Sequence, residues 1–335
     1  MKISFTIKKP KEILDKAFRR AREIKAHGKR IEDKKEKALN KVSTVENVIN
    51  NELSKIVKSL PKIDSFSDFY KELFKSYACM STYKKCLYHI SWTNRKIRQL
   101  SNKTRKKIKT YRKVEEIKKE MRSFYGRVSS LIEDLEECLD YLIYVIKILR
   151  KFPEIDESKV AFVVAGYPNV GKSSLIKAIT RADIKIEPYP FTTKDILIGN
   201  KEHYMLIDTP GLLEKNFEKL SDIEQKGYLA LKYLSKNIIF VIDSTMTSGY
   251  MLEDQMELLN NIKRHFKPQN ILIVYTKIDL LSDEDIKALK KDKSRRNVFF
   301  VSSITGEGLP ELERELDKLS LQYLSSHLKS YRNKS

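Results

Sequence analysis

No other part of this 335-residue chain limits the choice of fold as tightly as the segment Gly166-Tyr-Pro-Asn-Val-Gly171-Lys172-Ser173. It follows the pattern G-x-x-x-x-G-K-S, in which successive backbone N–H groups surround a nucleotide phosphate. The pattern works only between a strand and a helix. The apolar run Val160–Ala165 precedes it, and a helix-length amphipathic segment begins near Lys172. We therefore expect a phosphate loop at one edge of an α/β sheet.

The sequence from Lys159 onward is typical of such a sheet. Short apolar runs alternate with helix-length amphipathic segments, which predicts a mainly parallel sheet with crossover helices on both faces. The predicted strands are Val160–Ala165, Tyr204–Ile207, Ile238–Ile242, Ile271–Tyr275 and Val298–Val301. We expect a Ras-like P-loop domain over residues 159–325 and a flexible polar tail over residues 326–335.

The N-terminal half, residues 1–158, is predicted to be helical throughout. One apolar seam repeats at alternating spacings of four and three residues over more than four heptads. Its members are Ile117, Met121, Phe124, Val128, Leu131, Leu135, Cys138, Leu142, Val145 and Leu149. The seam is compatible with an intermolecular coiled coil, but other amphipathic segments favour an intramolecular bundle. The expected fold class is α followed by α/β, an all-α bundle and then the P-loop domain.

Two further segments support the bundle. A second apolar stripe, ended by Pro61, consists of Ala38, Val42, Val45, Ile49, Ile56 and Leu60. A third helix is predicted over Phe66–Met80, with Ser65 or Ser67 as its N-cap. The segment Lys151–Ser158, which contains Pro153, is expected to be the hinge before the P-loop domain.

The net charge of +21 lies mostly in the N-terminal half, where 39 Lys and Arg face 22 Asp and Glu. Ten basic and no acidic side chains fall in one short run: Arg95, Lys96, Arg98, Lys103, Arg105, Lys106, Lys107, Lys109, Arg112 and Lys113. So many like charges repel one another unless a polyanion neutralises them. We expect this run to bind nucleic acid, because it lacks the wide apolar face of a membrane-surface helix.

Two aromatic side chains, Tyr88 and Trp92, lie just before the basic run. Such rings stack on unpaired bases, but a position in the core is the favoured interpretation. No apolar stretch approaches the ~20 residues of a membrane span, and the basic start MKISFTIKKP lacks the apolar region of a signal peptide. We expect a cytoplasmic monomer that does not enter membranes.

The chemistry of phosphate binding assigns roles within the glycine-rich loop. Lys172 is expected to bridge the β- and γ-phosphates, and the Ser173 hydroxyl is expected to ligate Mg²⁺. The residues expected to contact the nucleotide here are Asn169, Val170, Gly171, Lys172, Ser173 and Ser174.

Farther along, Asp208-Thr-Pro-Gly211 ends a predicted strand. Asp208 is expected to hold Mg²⁺ through a water molecule, and the Gly211 N–H to sense the γ-phosphate. Thr192 and Thr193 lie between this motif and the phosphate loop. One threonine there completes the Mg²⁺ shell when GTP is bound and leaves it after hydrolysis. We favour Thr193, with Thr192 as the alternative.

Two later motifs are suited to guanine. In Thr276-Lys277-Ile278-Asp279, the Asp279 carboxylate can accept hydrogen bonds from the guanine N1–H and 2-amino group, which adenine does not offer. The Lys277 stem is expected to lie along the base. The segment Ser302-Ser303-Ile304 is expected to donate a backbone N–H to the guanine O6. All these motifs occur in the order that a GTPase requires, so we expect binding of GTP and GDP.

These motifs resemble those of the Obg-HflX-like, translation-factor-related GTPases. The segment GYPNVGKSSLIKAITRADIKIEPYPFTTK, followed by IDTPGLL, is more specific and resembles the nucleolar GTP-binding protein family, with its compact archaeal members. LPKIDSFSDFYKELF, NRKIRQL and LRKFPEID extend the resemblance into the helical half. The resemblance implies action in assembly of the large ribosomal subunit. Compared with the family's NKxD motif, Thr276 replaces asparagine, which predicts a modest loss of nucleotide affinity.

The residues after Gly211 predict slow hydrolysis. Leu212 and Leu213 stand where Ras-like enzymes place a glutamine that orients the attacking water. A K⁺ ion held by Asn169 is one candidate for the missing group, because it would stabilise developing phosphate charge. An alternative role for Asn169 is to bond only the loop backbone. Bound rRNA or a ribosomal protein is another source of the missing group.

Three functions fit the sequence. The favoured one is a GTPase switch that docks on rRNA of the large ribosomal subunit, or of its precursor, through the basic helices. The alternatives are a signalling GTPase that acts on a protein target and an RNA-binding scaffold with negligible turnover. The sequence does not indicate which rRNA element or assembly step is involved.

Overall fold

The structure is a computed structural model that describes residues 4–25, 28, 30–181, 183–187, 195–208, 231–290 and 297–332. It divides into two compact units. One comprises residues 2–65 and 77–150, and the other comprises residues 66–76 and 151–335. Residues 66–76 and 151–158 thus group with the sheet, and the domain boundary after residue 158 stays a prediction.

The first unit is a helical bundle. Its helices are α1 (Pro10–Arg22), α2 (Ile31–Ser59), α4 (Met80–Thr110), α5 (Val114–Glu133) and α6 (Glu136–Leu149). The long helix α2 packs against α1 and α4, and α4 also packs against α5 and α6. The apolar residues are therefore covered within one chain, as the bundle interpretation predicted. All six residues of the second predicted stripe are buried.

The long apolar seam does not form one helix. Asp134 is the C-cap of α5, and α6 begins only after Leu135. The Leu135 N–H bonds to the Ile132 carbonyl three residues earlier, at 3.1 Å, which replaces the regular α-helical bond to a carbonyl four residues earlier. This break shifts the buried face by one residue on either side of it. Ile132 and Leu139 are fully buried, whereas the predicted seam members Leu131 and Cys138 are only half-buried. A regular heptad pattern thus predicted the apolar helices correctly but missed the break.

Helix α3 (Asp68–Tyr77) begins where the sequence suggested. The Ser67 hydroxyl accepts a hydrogen bond from the Tyr70 N–H at 3.4 Å, which makes Ser67 the N-cap. The Tyr70 hydroxyl donates to the Pro153 carbonyl at 2.8 Å and accepts from the Ile155 N–H at 2.9 Å. The segment predicted to be a hinge is therefore fastened to α3.

The second unit is built on a mixed sheet with the order β2-β3-β4-β1-β5-β6-β7 among the described residues. The strands are β1 (Val160–Ala165), β2 (Ile184–Glu187), β3 (Ile196–Asn200), β4 (Tyr204–Asp208), β5 (Asn237–Asp243), β6 (Asn270–Thr276) and β7 (Val298–Phe300). The strand pairs among β4, β1, β5, β6 and β7 are parallel, and β2 and β3 are antiparallel to their neighbours. This arrangement confirms the predicted fold class.

Helices follow strands β1, β5, β6 and β7 in the described part of this unit. They are α7 (Lys172–Thr180), α8 (Leu252–Phe266), α9 (Asp283–Lys290) and α10 (Leu309–Arg332). Helices α7 and α10 share a buried apolar cluster with alternate residues of β1, β5 and β6. Helix α8 packs on β5 outside that cluster. Helix α10 continues to Arg332, through most of the segment expected to be a flexible tail.

Among the residues that the structure describes, every helix is either too short or too polar to cross a bilayer.

Candidate functional site

The glycine-rich segment forms a tight loop between β1 and α7. Gly166 has a φ of +146°, and a Cβ there would lie 2.6 Å from the Val241 carbonyl oxygen. Gly171 has a φ of +99°, which also favours glycine. Asn169 adopts a φ of +63° with its side chain exposed, and asparagine tolerates this left-handed conformation better than most residues. The loop backbone thus requires the residue types that the motif supplies.

Lys172 is the first residue of α7 and is only 7% exposed. Its ammonium donates to the carbonyl oxygens of Gly166 at 2.9 Å and Tyr167 at 2.8 Å. The charge is therefore held over the loop, at the positive end of a helix dipole. A phosphate placed there would be attracted by both the lysine and the helix.

Ser173 and Asp208 meet at the carboxyl ends of β1 and β4. The Ser173 hydroxyl donates to Asp208 Oδ2 at 2.6 Å, and Asp208 is 1% exposed. A hydroxyl and a carboxylate are the hard oxygen donors that Mg²⁺ prefers. The donor set therefore fits Mg²⁺.

Thr276 joins the predicted base-recognition motif to the phosphate loop. Its hydroxyl donates to the Val170 carbonyl oxygen at 2.6 Å, while the side chain is 2% exposed. The Ile242 carbonyl oxygen lies 3.3 Å from the same hydroxyl. The Thr276 hydroxyl thus joins the end of β6 to the phosphate loop, and the amide of an asparagine is not needed for this link.

Lys277 is fixed at the end of β6 by a buried carboxylate. Its ammonium lies 2.7 Å from Asp243 Oδ2 and donates to the Thr247 hydroxyl at 2.8 Å. Asp243 has a side chain that is 0% exposed. Burial alone would raise the pKa of Asp243, but hydrogen bonds from Lys277, Thr245 and Thr247 outweigh it and lower the pKa to about 2. Asp243 is therefore ionised and holds the lysine in place.

Sequence reasoning missed Asp243 and its surroundings. Gln255 on α8 donates to the Asp243 carbonyl oxygen at 2.9 Å and accepts from the Asp243 N–H at 2.9 Å. Tyr250 lies in the segment between β5 and α8, and its ring stacks on Tyr167 of the phosphate loop with ring centroids 4.1 Å apart. An aspartate at the end of an apolar strand, next to the phosphate loop, is the pattern that would have identified this position.

The remaining predicted base contacts lie at the same edge of the sheet. Asp279 is exposed in a short 3₁₀ turn that follows Lys277. Ser302 is fully buried, and its hydroxyl accepts from the N–H groups of Ile304 at 3.2 Å and Thr305 at 3.1 Å. The Ser302 N–H donates to the Glu307 carbonyl. Two of the three predicted N–H groups, those of Ser302 and Ile304, are thus used within the protein, and the contact to a guanine oxygen stays a prediction.

The structure leaves several predicted residues undescribed. Thr192, Thr193 and Gly211 lie outside the described residues, as do Leu212 and Leu213. Ser174 is exposed in the first turn of α7. The roles given to all these residues stay predictions.

Most of the basic run lies on α4. In the described part of the chain, acidic partners belong to Arg98 and Arg105, which share Glu46, and to Lys107, which pairs with Glu120 at 2.9 Å. Within those ranges, the structure gives no acidic partner to the charged side chains of the other members: Arg95, Lys96, Lys103, Lys106, Lys109, Arg112 and Lys113. Most of the run is therefore available to a polyanion.

The two aromatic residues before the run differ. The core interpretation is wrong for Tyr88, which is 64% exposed with the Arg95 guanidinium 6.0 Å from its ring centroid. Trp92 is half-buried, and the Lys96 ammonium lies 5.4 Å from its ring. The Arg95 guanidinium lies over the face of the Tyr88 ring, and this cation–π contact favours an exposed position for Tyr88.

Together, the sheet order and the phosphate loop define a P-loop GTPase fold attached to a helical bundle. The family model "NOG1 N-terminal helical domain" matches residues 2–156, and "50S ribosome-binding GTPase" matches residues 161–277. The chain belongs to the nucleolar GTP-binding protein 1 family. The resemblance seen in the motifs is thereby confirmed.

The chain is similar to proteins from archaea and eukaryotes. An uncharacterized protein of Methanocaldococcus jannaschii is 33% identical over 84% of this chain and 81% of its own length. Nucleolar GTP-binding protein 1 of Encephalitozoon cuniculi is 33% identical over 75% of this chain. This chain spans 49% of that relative, about half its length. A crystal structure titled as a nucleolar GTP-binding protein 1 from Plasmodium falciparum is 27% identical over 55% of this chain and 97% of its own, with a TM-score of 0.44.

Proposed function

We propose that this protein is a GTP-hydrolysing switch in assembly of the large ribosomal subunit, and that it docks on rRNA through its basic helical unit. The observation that carries the proposal is the pairing of two family matches on one chain, a NOG1 helical domain and a 50S ribosome-binding GTPase. The unpaired cations of α4 support the RNA contact, because phosphate neutralisation is the main source of affinity for nucleic acid.

GTP and GDP are the proposed nucleotides. Lys172 and the loop residues Asn169–Ser174 would surround the phosphates, and Ser173 with Asp208 would hold Mg²⁺. Asp279 would accept hydrogen bonds from the guanine edge, with Lys277 along the base. The hydrogen bond between Thr276 and Val170 supports this assignment, because it ties base recognition to phosphate binding.

Mg²⁺ supplies charge neutralisation at the β- and γ-phosphates when it is bound. The chain's own residues do the rest of the positioning: Lys172 orients the terminal phosphate, and Thr193 and Gly211 respond to it. We propose slow intrinsic hydrolysis, since Leu212 and Leu213 offer no group that orients water. The nucleotide then acts as a timer for docking.

A K⁺ ion held by Asn169 is the proposed source of the missing transition-state charge. The exposed side chain of Asn169 and its left-handed backbone support this idea, because the amide is accessible at the mouth of the loop. Hydrolysis should be faster in KCl than in NaCl at equal ionic strength. Equal rates would remove K⁺ from the mechanism and leave rRNA or a ribosomal protein as the activator.

The test of the proposed function is turnover on its particle. Purified protein should release phosphate from GTP slowly alone and several-fold faster with large ribosomal particles, but not with small ones. Lys172→Ala serves as the inactive control. If large particles do not change the rate in either KCl or NaCl, activation by the particle is excluded and the scaffold function is favoured.

A further inference from the structure

A hollow lies between α4 and α5 in the helical unit. Its volume is about 400 Å³, and small-molecule sites typically fall within about 300–1,000 Å³. It is lined by Lys96, Gln99, Leu100 and Lys103 from α4, and by Arg127, Ser130 and Leu131 from α5. We propose that this hollow binds one unpaired nucleotide of an RNA strand. The proposal rests on the RNA docking proposed above and specifies where one base is held.

The spacing of the lining residues places them on two facing helix surfaces. Lys96, Leu100 and Lys103 are four and three residues apart, and Arg127 and Leu131 are four residues apart. The two leucines are half-buried, whereas the polar and charged lining residues are exposed. The hollow therefore has an apolar floor and a polar, positive rim.

The charge at the rim is not neutralised by the protein. Within the described ranges, Lys96, Lys103 and Arg127 have no acidic side-chain partner. By contrast, nearby Arg105 and Lys107 pair with Glu46 and Glu120, whose side chains are 13% and 12% exposed. The cations at the hollow are thus among the α4 side chains without an acidic partner, as Arg95, Lys106 and Lys109 also are in the described residues.

This combination fits a nucleotide better than a phosphate alone. An apolar floor accepts the face of a base, and the three cations can contact the phosphates on either side of it. Gln99 and Ser130 offer hydrogen-bonding groups at the rim for the edge of the base. A base in a duplex is stacked and cannot enter, so the hollow selects unpaired RNA.

The test compares two tryptophan variants of the full chain. Ser130→Trp fills the hollow without changing charge, and Ser123→Trp adds the same side chain at an exposed position of α5 outside the hollow. Each protein is titrated with an RNA hairpin that has an unpaired loop and with a fully paired duplex of equal length, over a KCl series. Circular dichroism and thermal unfolding confirm that both variants fold.

We expect Ser130→Trp to weaken hairpin binding about tenfold at every salt concentration, with unchanged salt slope and unchanged duplex binding. Ser123→Trp should behave as wild type. Lys103→Ala should instead reduce the salt slope by roughly 0.7 for the unpaired strand. Wild-type affinity of Ser130→Trp for the hairpin, or an equal loss of affinity for both RNAs, would overturn the proposal that the hollow binds a base. The proposed RNA docking would stand in either case. Failure of the wild-type chain to bind either RNA at low salt would overturn docking itself and the hollow with it.

Discussion

The Thr276 hydroxyl donates a hydrogen bond of 2.6 Å to the main-chain carbonyl of Val170. Val170 belongs to the phosphate loop, and Thr276 ends β6 directly before the residues proposed to bind the base. Both groups are buried. The two halves of the nucleotide site are therefore one hydrogen-bonded unit, and a threonine is sufficient to join them.

Replacing Thr276 by valine should weaken this unit. The change keeps the shape of the side chain but leaves the buried Val170 carbonyl without its donor, which costs about 1–3 kcal/mol of stability. We expect GDP affinity to fall about fivefold or more, because the loop is no longer preorganised. Titration with a fluorescent GDP analogue measures the effect. Thr110→Val, an exposed change in the helical unit, is the control, and equal affinities of the two variants would contradict the link.

Asp243 should make the stability of the sheet unit depend on acid pH. Its pKa is about 2 when folded and has an ordinary value of 3.8. A lowered carboxyl pKa stabilises the fold fully above about pH 4, and this contribution, roughly 2 kcal/mol, is lost as the pH falls toward 2.

Asp243→Asn should therefore destabilise the protein by a constant amount from pH 7 to pH 4, with the difference from wild type shrinking below pH 4. Urea unfolding at several pH values measures it. Asp64→Asn, which breaks the exposed pair with Lys84, should cost no more than about 1 kcal/mol. A difference that stays constant down to pH 2 would show that ionised Asp243 is not the cause.

Asp279 should decide which base is bound. Asp279→Asn removes the carboxylate that accepts from the guanine N1–H and 2-amino group, and we expect GDP affinity to fall at least about 100-fold. A xanthine nucleotide carries an oxygen in place of the 2-amino group. It should bind the Asp279→Asn variant more tightly than a guanine nucleotide does, because the introduced amide can donate to that oxygen. Competition binding with GDP, XDP and ADP provides the comparison. The control is Asp283→Asn in the first turn of α9, and retention of guanine preference by Asp279→Asn would exclude this role.

Alanine substitutions of paired and of unpaired cations on α4 should have different effects on RNA binding and on stability. Joint replacement of Lys103, Lys106 and Lys109 by alanine should lower the salt slope of binding to single-stranded RNA by roughly two, at about 0.7 per cation, with little change in stability. Arg105→Ala should mainly reduce stability, because it leaves the largely buried Glu46 without its 2.7 Å partner. Salt-dependent RNA titrations and thermal unfolding separate the two effects. The opposite pattern would contradict the assignment of free and paired cations.

Thr193 should be needed only for the GTP state. Thr193→Ala should leave GDP affinity within about twofold of wild type, because the threonine enters the Mg²⁺ shell only with the γ-phosphate. The same variant should lose any difference in particle binding between GDP and a GTP analogue. Thr192→Ala is the matched comparison, and an effect confined to Thr192 would transfer the role to that residue.

The sequence predicted the parts of the fold that depend on local pattern. The phosphate loop, the strands around it and the buried stripe of α2 follow from periodicity and glycine chemistry. The break at Asp134 was not predictable, since neither Gly nor Pro interrupts the seam there. Asp243 was missed because its partner Lys277 is 34 residues away in sequence, and only the pairing of β5 with β6 brings Asp243 beside Thr276.

Co-sedimentation with large ribosomal particles tests the central claim most directly. Protein loaded with GDP or with a non-hydrolysable GTP analogue is spun with the particles across a salt series. The account predicts binding that is stronger with the GTP analogue and falls steeply as salt rises, because several phosphates are neutralised. Absence of binding at low salt would contradict the account and direct the search to a protein target.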